Sequence, residues 1–242
     1  TADGVMHEGS ASTRAGLPGI PAASEVVAVS RDIELARLTG SAYHVAHIST
    51  AGAVADVRRA KEAGLPVTAE VTPHHLTLTD HDVLQSGYDT RFKMAPPLRS
   101  AADRDALIEG LADGTIDAIA TDHAPHSRLE KDLEFADAAN GVIGLETAVP
   151  LALDLVQRGL LTRARAIDAL TVAAARCFGL ECGTLGIGAP ADIAVIDPDE
   201  RWTVDAEGFE SKSRNSPFVG RTMRGRTVAT FVGGEAVYRV AR

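Results

Sequence analysis

The run Ala118–His126, reading Ala-Ile-Ala-Thr-Asp-His-Ala-Pro-His, puts a carboxylate and two imidazoles directly after a short apolar segment, Ile116–Ala120. A buried strand that ends in ionisable side chains needs a use for them, because an unpaired charge removed from water is costly. Metal ligation and proton transfer are the usual uses. In metal-assisted hydrolysis a carboxylate beside the metal takes the proton of water, so Asp122 reads as metal ligand, general base, or both. The bland alternative is an Asp that caps the turn after its strand. His126, neutral or protonated, suits an anionic substrate.

Ala42–Thr50, Ala-Tyr-His-Val-Ala-His-Ile-Ser-Thr, repeats the design upstream. Strand alternation sends His44 and His47 to opposite faces unless the strand ends between them. His47, nearer the tip, is the better metal ligand, and His44 is expected to pack or hydrogen-bond in the wall. Alone, either would read as a satisfied core histidine. Paired with Asp122 on another strand tip, His47 reads as half of a shared metal site. Thr72-Pro-His-His-Leu76 forms a third tip. His74 and His75 there either orient metal ligands or pack the mouth of the pocket, and the sequence leaves both open. The basic, proline-stiffened loop Lys93–Arg99 either shapes the mouth of the pocket or has Arg99 paired with a surface carboxylate, and the structural role is the one expected. Leu17–Pro21 and Glu25 also read as structural. The glycines of Asn140–Thr147 would let backbone approach a ligand closely.

The elements that must carry these tips alternate. Helices are expected at Pro21–Thr39, Ala53–Ala63, Ala101–Ala112, Leu145–Arg158 and Thr162–Phe178, with a short helix or turn at Thr79–Gln85. Strands are expected at Ala42–Ile48, Leu65–Val71 and Ile116–Thr121, and residues 1–20 read as loop. Alternation of this kind argues for a parallel sheet covered by helices, and polar strand tips suit the active face of a (β/α)-barrel. An eight-stranded barrel takes about 250 residues. Three strands therefore fit only part of one. After Cys182 the pattern changes to short strands, Ala191–Ile196, Trp202–Val204, Thr227–Val232 and Ala236–Val240, with Gly233-Gly234 as a hairpin turn. The expected division is 1–182 for the barrel part and 183–242 for a small β-domain.

Bulk properties narrow the classes. The 242 residues are 45% apolar and carry a net charge of −9, which disfavours nucleic acid, bound chiefly through Lys and Arg. No apolar run approaches the ~18 residues of a membrane span, and the opening residues do not read as a signal peptide. Two cysteines without CxxC spacing argue against a disulfide framework and for a reducing, cytoplasmic setting.

Taken together, these motifs resemble the amidohydrolase superfamily and, within it, the longer bacterial dihydroorotases. The resemblance runs in order over nearly the whole chain. It is carried by Met6-His-Glu-Gly9, Leu17–Pro21 with Glu25, His44–Thr50, Glu70–His75, Pro96-Pro-Leu-Arg99, Ala120–His126, Gly144-Leu-Glu-Thr147 and Ser213-Arg-Asn-Ser-Pro-Phe218. It implies an α/β fold: the C-terminal part of a (β/α)8 TIM-type barrel, strands six to eight, with a small β-domain appended. It implies His47 as a zinc ligand on strand six, and Asp122 on strand eight as both zinc ligand and general base. It also implies His126 as a contact to the substrate carboxylate, and Asn140 and Gly141 as backbone contacts to the pyrimidine ring. One or two Zn2+ ions and interconversion of dihydroorotate and N-carbamoyl-aspartate in pyrimidine synthesis follow from it, as does a homo-oligomer.

The chain departs from the family at Ala95, where Asn is usual. The family's His-x-His, bridging carboxylate or carbamylated lysine, strand-five His and carboxylate-binding Arg would lie before Thr1. The missing N-terminal half of the barrel is thus itself an expected partner, and the 242 residues alone are expected to be inactive. Two alternatives stand beside this reading. One is a hydantoinase- or allantoinase-like cyclic amidase with a neutral substrate. The other is a non-catalytic subunit that scaffolds aspartate transcarbamoylase.

Overall fold

In Val67-Thr-Ala-Glu-Val71 the odd positions are buried and the even ones half-buried, so both faces of this strand are put to use. The computed structural model describes residues 3–240, leaving Thr1, Ala2, Ala241 and Arg242 outside. A parallel pair, β1 (Met6–His7) and β2 (Gly19–Ile20), encloses α1 (Ser10–Ala15); the expectation of plain loop over residues 1–20 is corrected for the residues described. Helix α2 (Ala22–Thr39) starts one residue later than expected, with Pro21 at φ −59° and ψ 142° as its N-cap and not in its first turn, and it stops at Gly40 in the left-handed conformation.

The central sheet is parallel, in the order β3-β4-β5, with β3 at Tyr43–Val45, β4 at Val67–Val71 and β5 at Ala118–Ile119. Helix α3 (Ala51–Glu62) crosses from β3 to β4. Helices α4 (Asp80–Gln85) and α5 (Ala101–Asp113) lie between β4 and β5. Local chemistry sets their starts: the Thr50 side chain accepts from the amide of Ala53, and Ser100 accepts from that of Asp103. Val45, Val67, Ala69, Val71, Ile116 and Ile119 pack against Val54, Val57, Leu107 and Leu111 in one core. The opposite face of the sheet is polar. There His44 meets Thr68 Oγ1 at 2.7 Å through Nδ1, lies 3.2 Å from Glu70 through Nε2, and packs with a tilted ring against Phe178, centroids 4.9 Å apart. His44 thus packs and hydrogen-bonds on the face of this sheet.

Helix α6 (Arg128–Lys131) follows β5. It was not anticipated, although Ser127 and Glu130 form the reciprocal Ser-x-x-Glu cap that marks a helix start in sequence. Next come α7 (Ala148–Gln157), α8 (Arg163–Leu170) and α9 (Val172–Cys177). The single helix expected over Thr162–Phe178 is broken at Thr171, whose φ of −133° and ψ of −99° leave the helical region. The closing sheet is antiparallel, in the order β6-β7-β8: Ile193–Thr203, Thr222–Val232 and Glu235–Arg239. The two strands expected on either side of Pro198 are one. The ladder shifts register between Asp197 and Arg201, and that irregularity accommodates a proline without an N–H. Gly233 and Gly234, both at positive φ, turn the last hairpin. Between β6 and β7 the chain leaves this sheet. Val204, Phe209 and Phe218 from this segment, and Met223 from the start of β7, join a second core with Met6, Met94, Leu98, Val142 and Leu151. No described helix is long and apolar enough to cross a membrane.

Candidate active site

Strand β3 ends at Val45, and the chain turns through Ala46 and His47. His47 takes a φ of 37°, and Asp122, three residues past β5, takes 46°. Among the described residues the only other non-glycine residue at positive φ is Tyr88. A left-handed backbone costs an L-residue about 1–3 kcal/mol and persists where surrounding structure enforces it. The strand therefore does end between His44 and His47, which removes the alternation argument and frees His47 to be aimed independently.

Because the sheet is parallel, both tips lie at the same end of it. The Ile48 amide donates to Glu70 O at 2.9 Å on one side of β4, and the Ala120 amide donates to Val71 O at 3.0 Å on the other. Two strand spacings, roughly 10 Å of backbone, separate the tips.

Under the β4 tip lie His74 and His75, both buried, with ring centroids 4.6 Å apart. Pro96 O accepts from His75 Nε2 at 3.0 Å, so the proton sits on Nε2 and Nδ1 accepts from Thr72 Oγ1 at 2.7 Å. Burial pushes His75 down to about 4, against the opposing hydrogen bond to Pro96. Burial, reinforced by His75 and His47, holds His74 far below the ordinary histidine range. Both rings are therefore neutral at physiological pH. His74 Nε2 and His47 Nδ1 are buried without hydrogen-bond partners.

A neutral imidazole and a carboxylate are donors that zinc accepts, and the partnerless Nδ1 of His47 fits such a position. Among the described residues no three or more His, Cys, Asp or Glu side chains converge into a complete metal cage. His47 and Asp122 can thus supply only part of a ligand set.

The rim is built from backbone. His126 Nε2 donates to Asn140 O at 2.8 Å, and Nδ1 lies 3.7 Å from Glu130. Gly141 sits at φ 127°, where a Cβ would come within 2.6 Å of Ala124 Cβ and 3.1 Å of His126 Nε2. Its missing side chain lets the loop close on His126.

Asn215, from the segment between β6 and β7, joins three pieces of chain. Its Nδ2 donates to Ala124 O and Gly141 O, and its Oδ1 accepts from the His126 amide. Asn140 is exposed, and only its carbonyl is engaged here. His123 accepts from the amides of Gly144 and Leu145. Arg99 is structural but not at the surface: it is 3% exposed, donates to Ser49 Oγ and Ile20 O, and lies 3.7 Å from Glu25. Glu25 in turn accepts from the amides and hydroxyls of Ser49 and Thr50, tying α2 to the segment after His47.

Two lysines are interior: Lys93, at the head of the basic loop read from the sequence, and Lys131, which carried no reading there. Lys93 Nζ donates to Ala136 O and Ala138 O, both at 2.7 Å. Lys131 Nζ donates to Ala139 O at 2.8 Å, Gly141 O at 3.1 Å and Lys93 O at 3.4 Å. Burial first, and then the neighbouring Lys93 charge, lower Lys131 to about 8. The folded protein therefore releases this proton near pH 8, while an unfolded chain holds it to about 10.5. The unfolded state binds more protons in that window, so the Lys131 contribution to stability rises with pH from 8 to 10.5 and is lost as pH falls through 8. Urea titrations should show this increment in the wild type and its loss in Lys131→Met.

Comparison with known proteins follows the same lines. The Amidohydrolase family profile matches residues 24–237. A dihydroorotase of Anaeromyxobacter sp. (strain K) is 62% identical over 235 residues, covering 97% of this chain and 54% of the relative. A dihydroorotase of Geobacter sp. (strain M21) is 54% identical, covering 98% and 55%. The chain thus spans about half the length of the curated relatives it matches. Among solved structures, an L-hydantoinase (dihydropyrimidinase) from Arthrobacter aurescens superposes with a TM-score of 0.84 at 33% identity, covering 90% of this chain and 49% of that one.

Proposed function

The chain belongs to the amidohydrolase family, and from that premise we propose that it is the C-terminal half of a dihydroorotase. In this reading residues 1–182 carry barrel strands six to eight, β3, β4 and β5, and residues 183–242 form the small β-domain. The observation that carries the site is the pair of strained tips. His47 and Asp122 end the two outer strands of one parallel sheet at the same end, both in left-handed backbone. Their side chains converge on one zinc site, and further ligands come from outside these residues. Bound there, one or two zinc ions would lower the pKa of water towards ~7 and polarise the scissile carbonyl.

The chain's own residues do the rest. The Asp122 carboxylate takes a proton from the attacking water. As the ring C–N bond of dihydroorotate breaks, it hands that proton to the leaving nitrogen, giving N-carbamoyl-aspartate, and cyclisation reverses the transfer. His126 offers Nδ1–H to the substrate carboxylate, while Asn140 O keeps Nε2–H. The Asn140–Gly141 backbone lies along the ring. Neutral His74 and His75 fill the floor without adding charge. Backbone strain kept at both tips favours this reading over a non-catalytic scaffold for aspartate transcarbamoylase, where nothing would maintain it.

The likeness to hydantoinase structures supplies the competing reading, a neutral cyclic substrate. Assay of the full-length enzyme with dihydroorotate and with a 5-substituted hydantoin separates the two. Dihydroorotate should be strongly preferred, and preference for the hydantoin would overturn the assignment. His126→Ala in the same enzyme should raise KM for dihydroorotate by about 10-fold or more, as loss of a charge-assisted contact does, with zinc content unchanged. Lost zinc at unchanged KM would mean that His126 serves the metal instead.

A further inference from the structure

Lys93 and Lys131 are only 5% and 7% exposed, yet the chemistry above uses neither. Among the described residues neither forms an ion pair with a carboxylate. Their hydrogen-bond acceptors are the five backbone carbonyls of Lys93, Ala136, Ala138, Ala139 and Gly141, and Lys93 Nζ also lies 5.9 Å over the Phe135 ring. The charges that face them are Asp89, already held by Arg91, for Lys131, and Asp137 for Lys93. Two like charges buried side by side cost stability, and a pair of apolar side chains would not.

What the arrangement yields is a fixed loop where the chain has no secondary structure. Residues 132–141 run from the end of α6 outside any helix or strand. Lys131 grips the carbonyls on both sides of Asn140, and the Gly141 amide donates back to Lys93 O at 3.0 Å. The carbonyl between those two, that of Asn140, is the acceptor for His126 Nε2. Fixing the 139–141 backbone therefore fixes the angle of the His126 ring. Asn215 closes the same joint from the other side through Gly141 O and the His126 amide. The reciprocal cap of Ser127 and Glu130 sets the start of α6 and so the place from which Lys131 reaches inward.

We propose that Lys131, backed by Lys93, is a positioning residue for substrate recognition: it holds the Asn140–Gly141 backbone and, through the Asn140 carbonyl, orients the imidazole of His126. The identity of the substrate rests on the dihydroorotase reading; the clamp itself does not.

The test uses the full-length enzyme. Lys131→Met keeps most of the apolar stem and removes the ammonium. It should raise KM for dihydroorotate by ~10-fold or more, within the ~10²-fold that a 1 Å misplacement costs, with a smaller change in kcat and unchanged zinc. Lys131→Arg keeps the charge but offers a planar fork in place of a three-way donor, and should fall between the two.

Hydrogen exchange followed by mass spectrometry reads the loop directly. In the wild type the Gly141 amide should exchange as slowly as the amides of β4, and in Lys131→Met it should exchange much faster while β4 is unchanged. Unchanged KM overturns the recognition role, whether or not the loop loosens. Rapid Gly141 exchange in the wild type overturns the clamp and needs no variant, so it decides the matter even if Lys131→Met fails to fold. A wild type that does not turn over dihydroorotate, but whose slow Gly141 exchange is lost in the variant, would overturn the dihydroorotase reading and leave the clamp standing.

Discussion

Asp122→Asn in the full-length enzyme is expected to lower kcat by about 10²–10⁴-fold, the usual range for a lost general base, and to leave the fold intact. The substitution isolates charge from shape. Asp122 is exposed on its tip, so no core packing depends on it. Its φ of 46° is one that Asn adopts as readily as Asp, because both short polar side chains tolerate the left-handed region. The amide keeps the size and cannot accept the proton, and it is a poorer zinc ligand than a carboxylate. Measuring kcat, bound zinc and thermal unfolding on one preparation separates these effects. Loss of turnover with zinc retained assigns the proton transfer to Asp122, and loss of both adds ligation. Near-normal turnover in metal-replete protein would show that another residue moves the proton.

The 242-residue polypeptide by itself is expected to show no turnover of dihydroorotate and only weak zinc binding. A catalytic zinc normally takes three protein ligands, and the proposed site draws only His47 and Asp122 from this chain. Among the described residues β3 and β5 each pair only with β4. Each therefore offers a free row of backbone donors and acceptors, which templates aggregation when nothing covers it. The polar sheet face carrying His44 and Glu70 is also half-exposed. Intact-mass verification, zinc analysis and an activity assay on the purified chain make the check. Full turnover by a verified 242-residue chain, with nothing else present, would overturn both the half-barrel reading and the incomplete ligand set.

Much of this molecule was legible because it is encoded locally. The Pro21 start and Gly40 stop of α2, the Ser100 cap of α5 and the Gly233-Gly234 hairpin each follow from the conformational preference of a few consecutive residues. The alternation of strands and helices gave the parallel sheet for the same reason. The candidates His47 and Asp122 were visible as ionisable side chains at the ends of apolar runs.

What the sequence could not show is everything that depends on residues far apart in the chain. Arg99 read as a surface residue, because nothing near it reveals that Glu25 and Ser49 enclose it. Lys93 and Asn215 lay within segments the sequence singled out and Lys131 did not, but the roles of all three were hidden, since their partners are backbone groups, which every residue possesses. The break at Thr171 and the joining of two expected strands through Pro198 were likewise decided by packing and by the neighbouring strand, overriding periodicity. Residue types and their local spacing thus determined which groups could do chemistry and which elements would carry them. Only the tertiary structure decided how they are held, because orientation comes from backbone strain at the tips and from long-range hydrogen bonds that no local pattern encodes.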